Sequence, residues 1–272
     1  INPPVYPPFF DWLPETDTQV LEVPLAHDPD TGWRLDLPAL ERAFATRPAV
    51  YLLCNPHNPV GRMHRPDELA AVVELATRYQ VSVISDEIHG PLALPGATFT
   101  PLLTIPGAAE IAVSVHSTSK AWNLAGLKCA SIVTGSAKMR TVTDRLPPDD
   151  RWRVGHFGVM ASIAAYTEAQ DWLDGLLCAL DERRTQLADL IRTRLPMIDW
   201  HPPEATYLAW LDCTRIGTDP FELFLEKGRV AFEAGPKFGT SGSGHVRLNF
   251  GTSAEILTEA VTRMADAVTR YG

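Results

Sequence analysis

Short, mostly apolar runs alternate with a longer amphipathic segment in the first half of the chain. The runs Val50–Cys54, Val81–Ser85 and Ile111–Val115 have the length and apolar character of buried strands. Between the first two, Pro66–Tyr79 repeats apolar residues at helical spacing and has Asp67 and Glu68 in its first turn, where negative charge is favourable. Strands that alternate with helices predict an α/β fold with a mostly parallel sheet.

Further segments extend this pattern on both sides. Thr18–Leu25 alternates apolar and polar positions and predicts a half-buried strand, and Asp36 is placed to cap a helix from Leu37 to Ala45. We also predict a strand at Cys129–Thr134, helices at Ser136–Leu146, Gly158–Ala169 and Gln170–Leu195, a strand at Tyr207–Asp212, a short helix at Phe221–Lys227, and a last helix that Ser253 caps and that ends near Tyr271.

Composition and charge narrow the class of protein. The chain has 272 residues, of which 45% are hydrophobic and 21% are charged, as expected for one large or two ordinary domains. Its net charge of −9 argues against a general nucleic-acid binder. The four cysteines are far apart in apolar surroundings, so we expect buried, reduced thiols and no metal site. The sequence shows no signal peptide and no membrane-spanning run, which favours a cytoplasmic enzyme without a membrane partner.

Polar motifs follow each of the three predicted strands. They are NPHNPVG at residues 55–61, SDEIH at residues 85–89, and HSTSKAWNLAGLK at residues 116–128. Open α/β sheets bind their ligands at the carboxyl ends of the strands. A desolvated amine such as that of Lys120 is nucleophilic and can form a Schiff base with an aldehyde cofactor. A lone Ser-x-x-Lys motif is more often a solvated surface lysine, so the rest of the chain must decide between the two.

Together, in this order, the three motifs resemble the fold-type I pyridoxal phosphate (PLP) enzymes of the class I/II aminotransferase superfamily. Within it they most resemble the MalY/PatB-like cystathionine β-lyases, and the resemblance extends from PPVYPPF near the start to VRLNFG near the end. It implies a PLP-binding large domain over residues 1–168 and a smaller α+β C-terminal domain over residues 169–272. Because the chain opens at Ile1 in the middle of the family pattern, we expect that an N-terminal part of the large domain is missing.

The resemblance also implies roles for individual residues. Lys120 would form the Schiff base and act as the general base, and Asp86 would keep the cofactor ring cationic so that it acts as an electron sink. Asn58 would donate a hydrogen bond to the phenolic oxygen of the cofactor. The other implied contacts are Tyr6 stacked on the pyridine ring, Ser117, Ser119 and Lys128 at the phosphate, His89 beside the cofactor, and Arg247 at the substrate α-carboxylate.

Each of these residues also has an ordinary structural explanation. Asn58 could satisfy its own turn, Asp86 could cap a helix, and His89 could be a core histidine. Two positions depart from the pattern of many relatives, which have Arg in place of Lys128 and Tyr in place of His89. An arginine can bind a phosphate through two parallel hydrogen bonds, whereas a lysine acts as a point charge.

The implied reaction is the cleavage of cystathionine, or of another cysteine S-conjugate, to a thiol, pyruvate and ammonia. The substrate would be an amino acid, a small-molecule partner, and the full-length protein is expected to be a homodimer. An aminotransferase is the first alternative, because it needs the same residues. The second alternative is a non-catalytic, truncated relative that acts as a binding module.

Overall fold

The structure, a computed structural model, describes residues 1–11 and 18–272. The strands are β1 (Ala26–Asp28), β2 (Gly32–Arg34), β3 (Val50–Cys54), β4 (Ser82–Asp86), β5 (Ala112–His116), β6 (Ser131–Thr134), β7 (Leu208–Asp212), β8 (Glu233–Ala234) and β9 (His245–Asn249). The α-helices are α1 (Pro8–Asp11), α2 (Leu37–Ala45), α3 (Pro66–Tyr79), α4 (Ala137–Thr143), α5 (Pro148–Trp152), α6 (His156–Glu168), α7 (Gln170–Arg194), α8 (Pro220–Glu222) and α9 (Ala254–Tyr271). A π-helical turn, Leu223–Gly228, follows α8, and 3-10 turns include Gly90–Leu92, Ala125–Leu127 and Gly235–Phe238.

The central sheet has the spatial order β3-β4-β5-β6. Strands β3, β4 and β5 are parallel, with Cys54 opposite Asp86 and Asp86 opposite Val115, and β6 is antiparallel to β5. The predicted α/β fold with a mostly parallel sheet is therefore confirmed. Because parallel strands end at the same edge, the motifs that follow β3, β4 and β5 emerge side by side.

Helix caps and apolar faces explain why the helices lie where the sequence predicts. The Asp36 carboxylate accepts a hydrogen bond from the Ala39 amide at 2.9 Å and begins α2, and the Ser253 hydroxyl accepts one from the Ile256 amide at 3.3 Å and begins α9. Helix α3 buries the predicted apolar stripe, which consists of Leu69, Val72, Val73 and Ala76. Burial of this stripe beside the sheet gives the helix most of its stability.

A second sheet, with the order β7-β9-β8, is entirely antiparallel. Helices α7 and α9 pack together beside it, and their buried residues join Leu211, Val246 and Phe250 in one apolar cluster. The predicted domain boundary at residues 168 and 169 falls between α6 and α7 and stays a prediction. Within residues 1–11 and 18–272, no helix combines the length and the apolar character needed to cross a lipid bilayer.

Three local predictions were wrong. Thr18–Leu25 is not a strand, although the Val23 and Leu25 amides donate to the carbonyls of Ile1 and Pro3. Its partner segment contains Pro3 and Pro4, which lack the N–H donors that a regular ladder requires. The helix predicted over Ser136–Leu146 ends at Thr143, ahead of two prolines. Of the free cysteines, Cys178 is exposed because it lies on the solvent side of α7.

Two buried histidines lie next to the carboxyl end of β3. His57 and His64 are 1% and 2% exposed, and their rings meet edge to face at 5.6 Å. The Nε2 atom of His57 lies 2.9 Å from the Pro4 carbonyl, and that of His64 lies 3.2 Å from the Cys54 carbonyl, so each Nε2–H donates to the backbone. Burial lowers the pKa of His57 to about 3 and that of His64 to about 4. Both rings are therefore neutral in the folded protein near pH 7.

We predict that these histidines make the protein sensitive to mild acid. Because their folded pKa values lie below the unfolded value of about 6.5, their contribution is complete above that pH and is lost as the pH falls. Each histidine should lower the free energy of unfolding by up to about 1.4 kcal/mol per pH unit below pH 6.5. Urea titrations between pH 5 and pH 8 measure this slope. His64→Gln keeps a hydrogen-bond donor for the Cys54 carbonyl. In this variant the slope should decrease by up to about 1.4 kcal/mol per pH unit, which corresponds to one proton fewer taken up on unfolding. An unchanged slope would contradict the assignment of His64 as a buried, neutral ring.

Candidate active site

A cavity of about 890 Å³ lies where the three motifs meet the second sheet. Asn58 follows β3, His89 follows β4 and Lys120 follows β5, and all three line this cavity. Tyr6 and Arg247, which are distant in sequence, line it too. The structure thus brings five of the predicted site residues to one cavity.

A hydrogen bond between Asn58 and Arg247 connects the two sheets at the cavity. The Arg247 Nη1 atom donates to the Asn58 Oδ1 atom at 3.0 Å, and Asn58 is 4% exposed. The guanidinium also lies over the ring of Phe238, 5.0 Å from its centroid. The contact identifies the Oδ1 end of the amide, and the Nδ2 group at its other end is the donor of the Asn58 side chain. Burial lowers the pKa of Arg247, but an arginine remains a cation at neutral pH.

Asp86 and Lys120 place a carboxylate near an amine. Asp86 ends β4, and its Oδ1 atom accepts a hydrogen bond from the Ile88 amide at 3.1 Å. Burial raises the pKa of Asp86, and the Ile88 hydrogen bond and the charge of Lys120 oppose that rise. Lys120 lies four residues beyond the end of β5, on the cavity wall. A buried carboxylate in this setting is stabilised by a cationic partner.

His89 is both buried and part of the cavity wall. It is 3% exposed, and its ring meets the Tyr207 ring edge to face at 6.1 Å. Its Nδ1 atom has no hydrogen-bond partner among residues 1–11 and 18–272. Burial lowers the pKa of His89 to about 3, and the positive charges of Lys120 and Arg247 contribute to this decrease. The ring is therefore a neutral group that can hydrogen-bond to a ligand.

Aromatic side chains form another part of the wall. The ring of Tyr6 lies edge-on to Phe9 at 5.9 Å, and burial raises the pKa of the Tyr6 hydroxyl, as does the nearby Asp86 carboxylate. Burial raises the pKa of Tyr207 in the same way. Both phenols are therefore protonated at neutral pH and can donate hydrogen bonds.

The predicted phosphate ligands lie outside the cavity wall. The Ser117 hydroxyl donates to the Cys129 carbonyl at 2.6 Å and accepts from the Ser119 amide at 3.1 Å, so it holds its own loop together. Lys128 is exposed and has a left-handed backbone, with φ = 52°, at the end of a 3-10 turn. A phosphate role for Ser117, Ser119 and Lys128 stays a prediction.

Several residues of the site were not predicted. Tyr207, Glu233, Lys237 and Asn249 line the cavity. Asn249 lies two positions after Arg247 on β9, and residues at that spacing share a face of a strand, so the sequence did contain a signal for it. Tyr207, Glu233 and Lys237 reach the cavity through contacts between distant segments, which no local pattern indicates.

Glu87 was also missed, although it lies beside Asp86. It is 0% exposed, and its Oε1 atom accepts from the Ser85 hydroxyl at 2.9 Å and from the Leu102 amide at 2.8 Å. Its Oε2 atom lies 3.3 Å from the His116 Nε2 atom. Burial raises the pKa of Glu87, and these contacts partly compensate for its desolvation. Glu87 thereby links the ends of β4 and β5.

Comparisons with known proteins agree with this geometry. Residues 1–264 match the model of the family described as aminotransferase class I and II. A Mycobacterium leprae protein provisionally named a cystathionine beta-lyase is 43% identical over 100% of this chain and 72% of its own length. The cystathionine beta-lyase PatB of Bacillus subtilis is 34% identical over 98% of this chain and 70% of its own length. The crystal structure of cystalysin from Treponema denticola, which contains pyridoxal 5′-phosphate, superposes with a TM-score of 0.92 at 27% identity and covers 100% of this chain and 70% of that one.

We predict that Arg247 gives the cavity its preference for a carboxylate. In Arg247→Gln, the preference for L-alanine over L-alaninamide should decrease by about 2 kcal/mol or more, because a buried charge-assisted contact is lost. Calorimetric titration with both ligands measures the preference. Arg263→Gln removes an exposed arginine on α9 and is the matched control. Equal preferences in Arg247→Gln and in the unchanged protein would exclude the role.

Proposed function

The chain belongs to the aminotransferase class I and II family, and we propose that it is a PLP-dependent carbon–sulfur β-lyase that acts on cystathionine or another cysteine S-conjugate. The observation that supports this most directly is the single cavity shared by Lys120, Asn58, Arg247 and His89, with Asp86 close enough to Lys120 for the lysine charge to oppose the rise that burial causes in its pKa. The similarity to proteins named cystathionine beta-lyase covers nearly the whole chain.

The residues in and beside the cavity fit PLP. A buried carboxylate with a raised pKa, Asp86, suits the protonated nitrogen of a pyridine ring. The Nδ2 group of Asn58 is a donor that suits the phenolic oxygen, and the buried His89 Nδ1 atom has no partner among the described residues, so it can meet a ligand. Tyr6 offers an aromatic face, and Lys120 offers an amine for covalent attachment. We assign Lys120, Asp86, Asn58, Tyr6 and His89 as residues that hold the cofactor.

PLP supplies an electron sink that stabilises negative charge at the substrate Cα atom. The side chains of this protein bind the substrate and move its proton. The Arg247 guanidinium binds the substrate α-carboxylate, and its hydrogen bond to Asn58 fixes its orientation. The Lys120 amine takes the proton from Cα, which requires it to lie on the cavity wall within reach of bound substrate. The neutral His89 ring adds no competing positive charge beside Lys120.

The overall reaction breaks the Cβ–S bond of the substrate. With cystathionine, addition of one water molecule gives homocysteine, pyruvate and ammonia, and no redox partner is needed. A 2-oxo acid acceptor is likewise not required. This separates the lyase from an aminotransferase, the second candidate, which the family also includes and which uses the same cavity residues.

We further propose that the protein acts as a homodimer, and the cytoplasmic location stays a prediction. Large apolar side chains are exposed on and near α6, notably Trp152 at 80%, Phe157 at 77% and Ile163 at 58%. Large apolar side chains exposed close together along the chain are a feature of protein interfaces. Size-exclusion chromatography with light scattering gives the oligomeric state.

We predict that cystathionine cleavage needs Lys120 but no 2-oxo acid. Pyruvate, measured with lactate dehydrogenase, and thiol, measured with Ellman's reagent, should appear together without an acceptor. In Lys120→Ala, turnover should fall at least about a thousandfold, because the general base is lost. Borohydride reduction with PLP should label a peptide that contains Lys120. Lys138→Ala is the control, because it removes an exposed lysine that donates a hydrogen bond to the Glu110 carbonyl. A strict need for 2-oxo acid would instead indicate an aminotransferase.

We predict that Asp86→Asn lowers the rate far more than it lowers PLP affinity. Asparagine keeps the oxygen that accepts from the Ile88 amide, but it cannot hold a pyridine nitrogen protonated. The rate should fall by about two orders of magnitude or more, the range expected when a group that stabilises charge in the transition state is removed. Fluorescence titration with PLP and pyruvate release measure the two effects. Unchanged rates would rule out the role of Asp86.

A further inference from the structure

The cavity wall contains charged side chains that the proposed reaction does not use. Among the described residues of the wall, Lys120 and Arg247 have roles, whereas Asp11, Glu233 and Lys237 do not. Glu233 lies on β8 directly opposite Arg247 on β9, so the two side chains share one face of the second sheet. Lys237 follows four residues later, in the 3-10 turn Gly235–Phe238.

Glu233 and Lys237 form an ion pair at the cavity. The Lys237 Nζ atom lies 3.4 Å from the Glu233 Oε2 atom, and the side chains are 62% and 46% exposed. An ion pair as exposed as this one contributes little to stability, so a structural role does not account for it. Because both partners line the cavity, they offer an anion and a cation to whatever occupies it.

Opposite charges at this spacing are complementary to a second amino-acid group. The far end of cystathionine has an ammonium and a carboxylate on one carbon, whereas an S-alkyl cysteine has neither. Pro8, Phe10 and Phe232 line the same cavity and offer apolar contacts to the methylene groups of a thioether. A cavity of about 890 Å³ lies near the upper end of the usual size for ligand sites.

We propose that Glu233 and Lys237 form a subsite for the distal amino-acid group of the substrate, with Glu233 binding its ammonium and Lys237 its carboxylate. The enzyme then prefers conjugates that end in an amino acid, such as cystathionine, over S-alkyl cysteines. This inference rests on the proposed lyase function and specifies its substrate class. A simpler role for Glu233 would be to balance the charge of Arg247, which it also faces.

The test compares two ligands that cannot be cleaved because they have no sulfur. L,L-2,7-Diaminooctanedioate has the length of cystathionine and both amino-acid groups, and L-2-aminooctanoate lacks the distal one. Calorimetric titration of the PLP-loaded enzyme gives the ratio of their Kd values, and it does not depend on turnover. In Glu233→Gln and in Lys237→Met, the preference for the diacid should decrease by about fivefold each, as expected for partly exposed charge contacts.

Matched controls come from a similar ion pair elsewhere on the surface. Glu259 and Arg263 on α9 are also four residues apart, 2.8 Å from each other and largely exposed. Glu259→Gln and Arg263→Met should leave the ratio unchanged. With S-methyl-L-cysteine and cystathionine as substrates, Glu233→Gln and Lys237→Met should lower kcat/KM for cystathionine only.

The outcomes separate the subsite from the lyase function. An unchanged Kd ratio in both variants would overturn the subsite. If Glu233→Gln weakens the binding of both ligands by the same factor, Glu233 only balances the charge of Arg247. If neither conjugate is cleaved while the Kd ratio shifts as expected, the lyase function fails and the subsite stands. If S-methyl-L-cysteine is cleaved and the ratio does not shift, the lyase function stands and the subsite fails.

Discussion

The parallel pairing of β3, β4 and β5 is the constraint on which the site depends. Because the three strands run in the same direction, their carboxyl ends lie along one edge of the sheet, and each is followed by a polar motif. The pairing of Cys54 with Asp86, and of Asp86 with Val115, fixes the level at which the three motifs leave the sheet. A shift of one residue in either pairing would turn Asp86 to the other face and away from Lys120.

Burial shifts the pKa values of the titratable groups that this arrangement brings together. Asp86, His89 and Arg247 are each partly or fully removed from water. Burial raises the pKa of Asp86 and lowers the pKa of His89 and of Arg247, so in each case it favours the neutral form. For His89 the shift is large enough to keep the ring uncharged, and the cations Lys120 and Arg247 reinforce it. Asp86 is different, because the nearby amine and the Ile88 amide favour its charged form. The site thus combines the neutral imidazole of His89 with the buried carboxylate of Asp86, which a cationic partner such as the protonated pyridine nitrogen of PLP stabilises.

Local patterns predicted the framework well and the cavity only in part. The caps Asp36 and Ser253 and the apolar stripe of α3 depend on neighbours within one element, so the sequence reveals them. Thr18–Leu25 could not be predicted from its own alternation, because prolines in a distant partner segment prevent a regular ladder. Glu233 and Lys237 reach the cavity through the pairing of β8 with β9, a contact of long sequence separation. The family resemblance named Tyr6 and Arg247 despite their distance, since it encodes contacts that periodicity does not.

The hydrogen bond between Arg247 and Asn58 shows how the second sheet contributes to the chemistry. Asn58 follows β3 of the central sheet and Arg247 lies within β9 of the second sheet, so the group that we propose for substrate binding and a group that we propose for cofactor binding are held next to each other. The Phe238 ring supports the guanidinium on another side, and Phe238 is fully buried. A planar cation restrained by an amide oxygen and an aromatic face loses little conformational entropy when a carboxylate binds. The same packing brings β8 beside Arg247, so the residue that we propose for one end of the substrate lies in the same sheet as Glu233, which we assign to its other end.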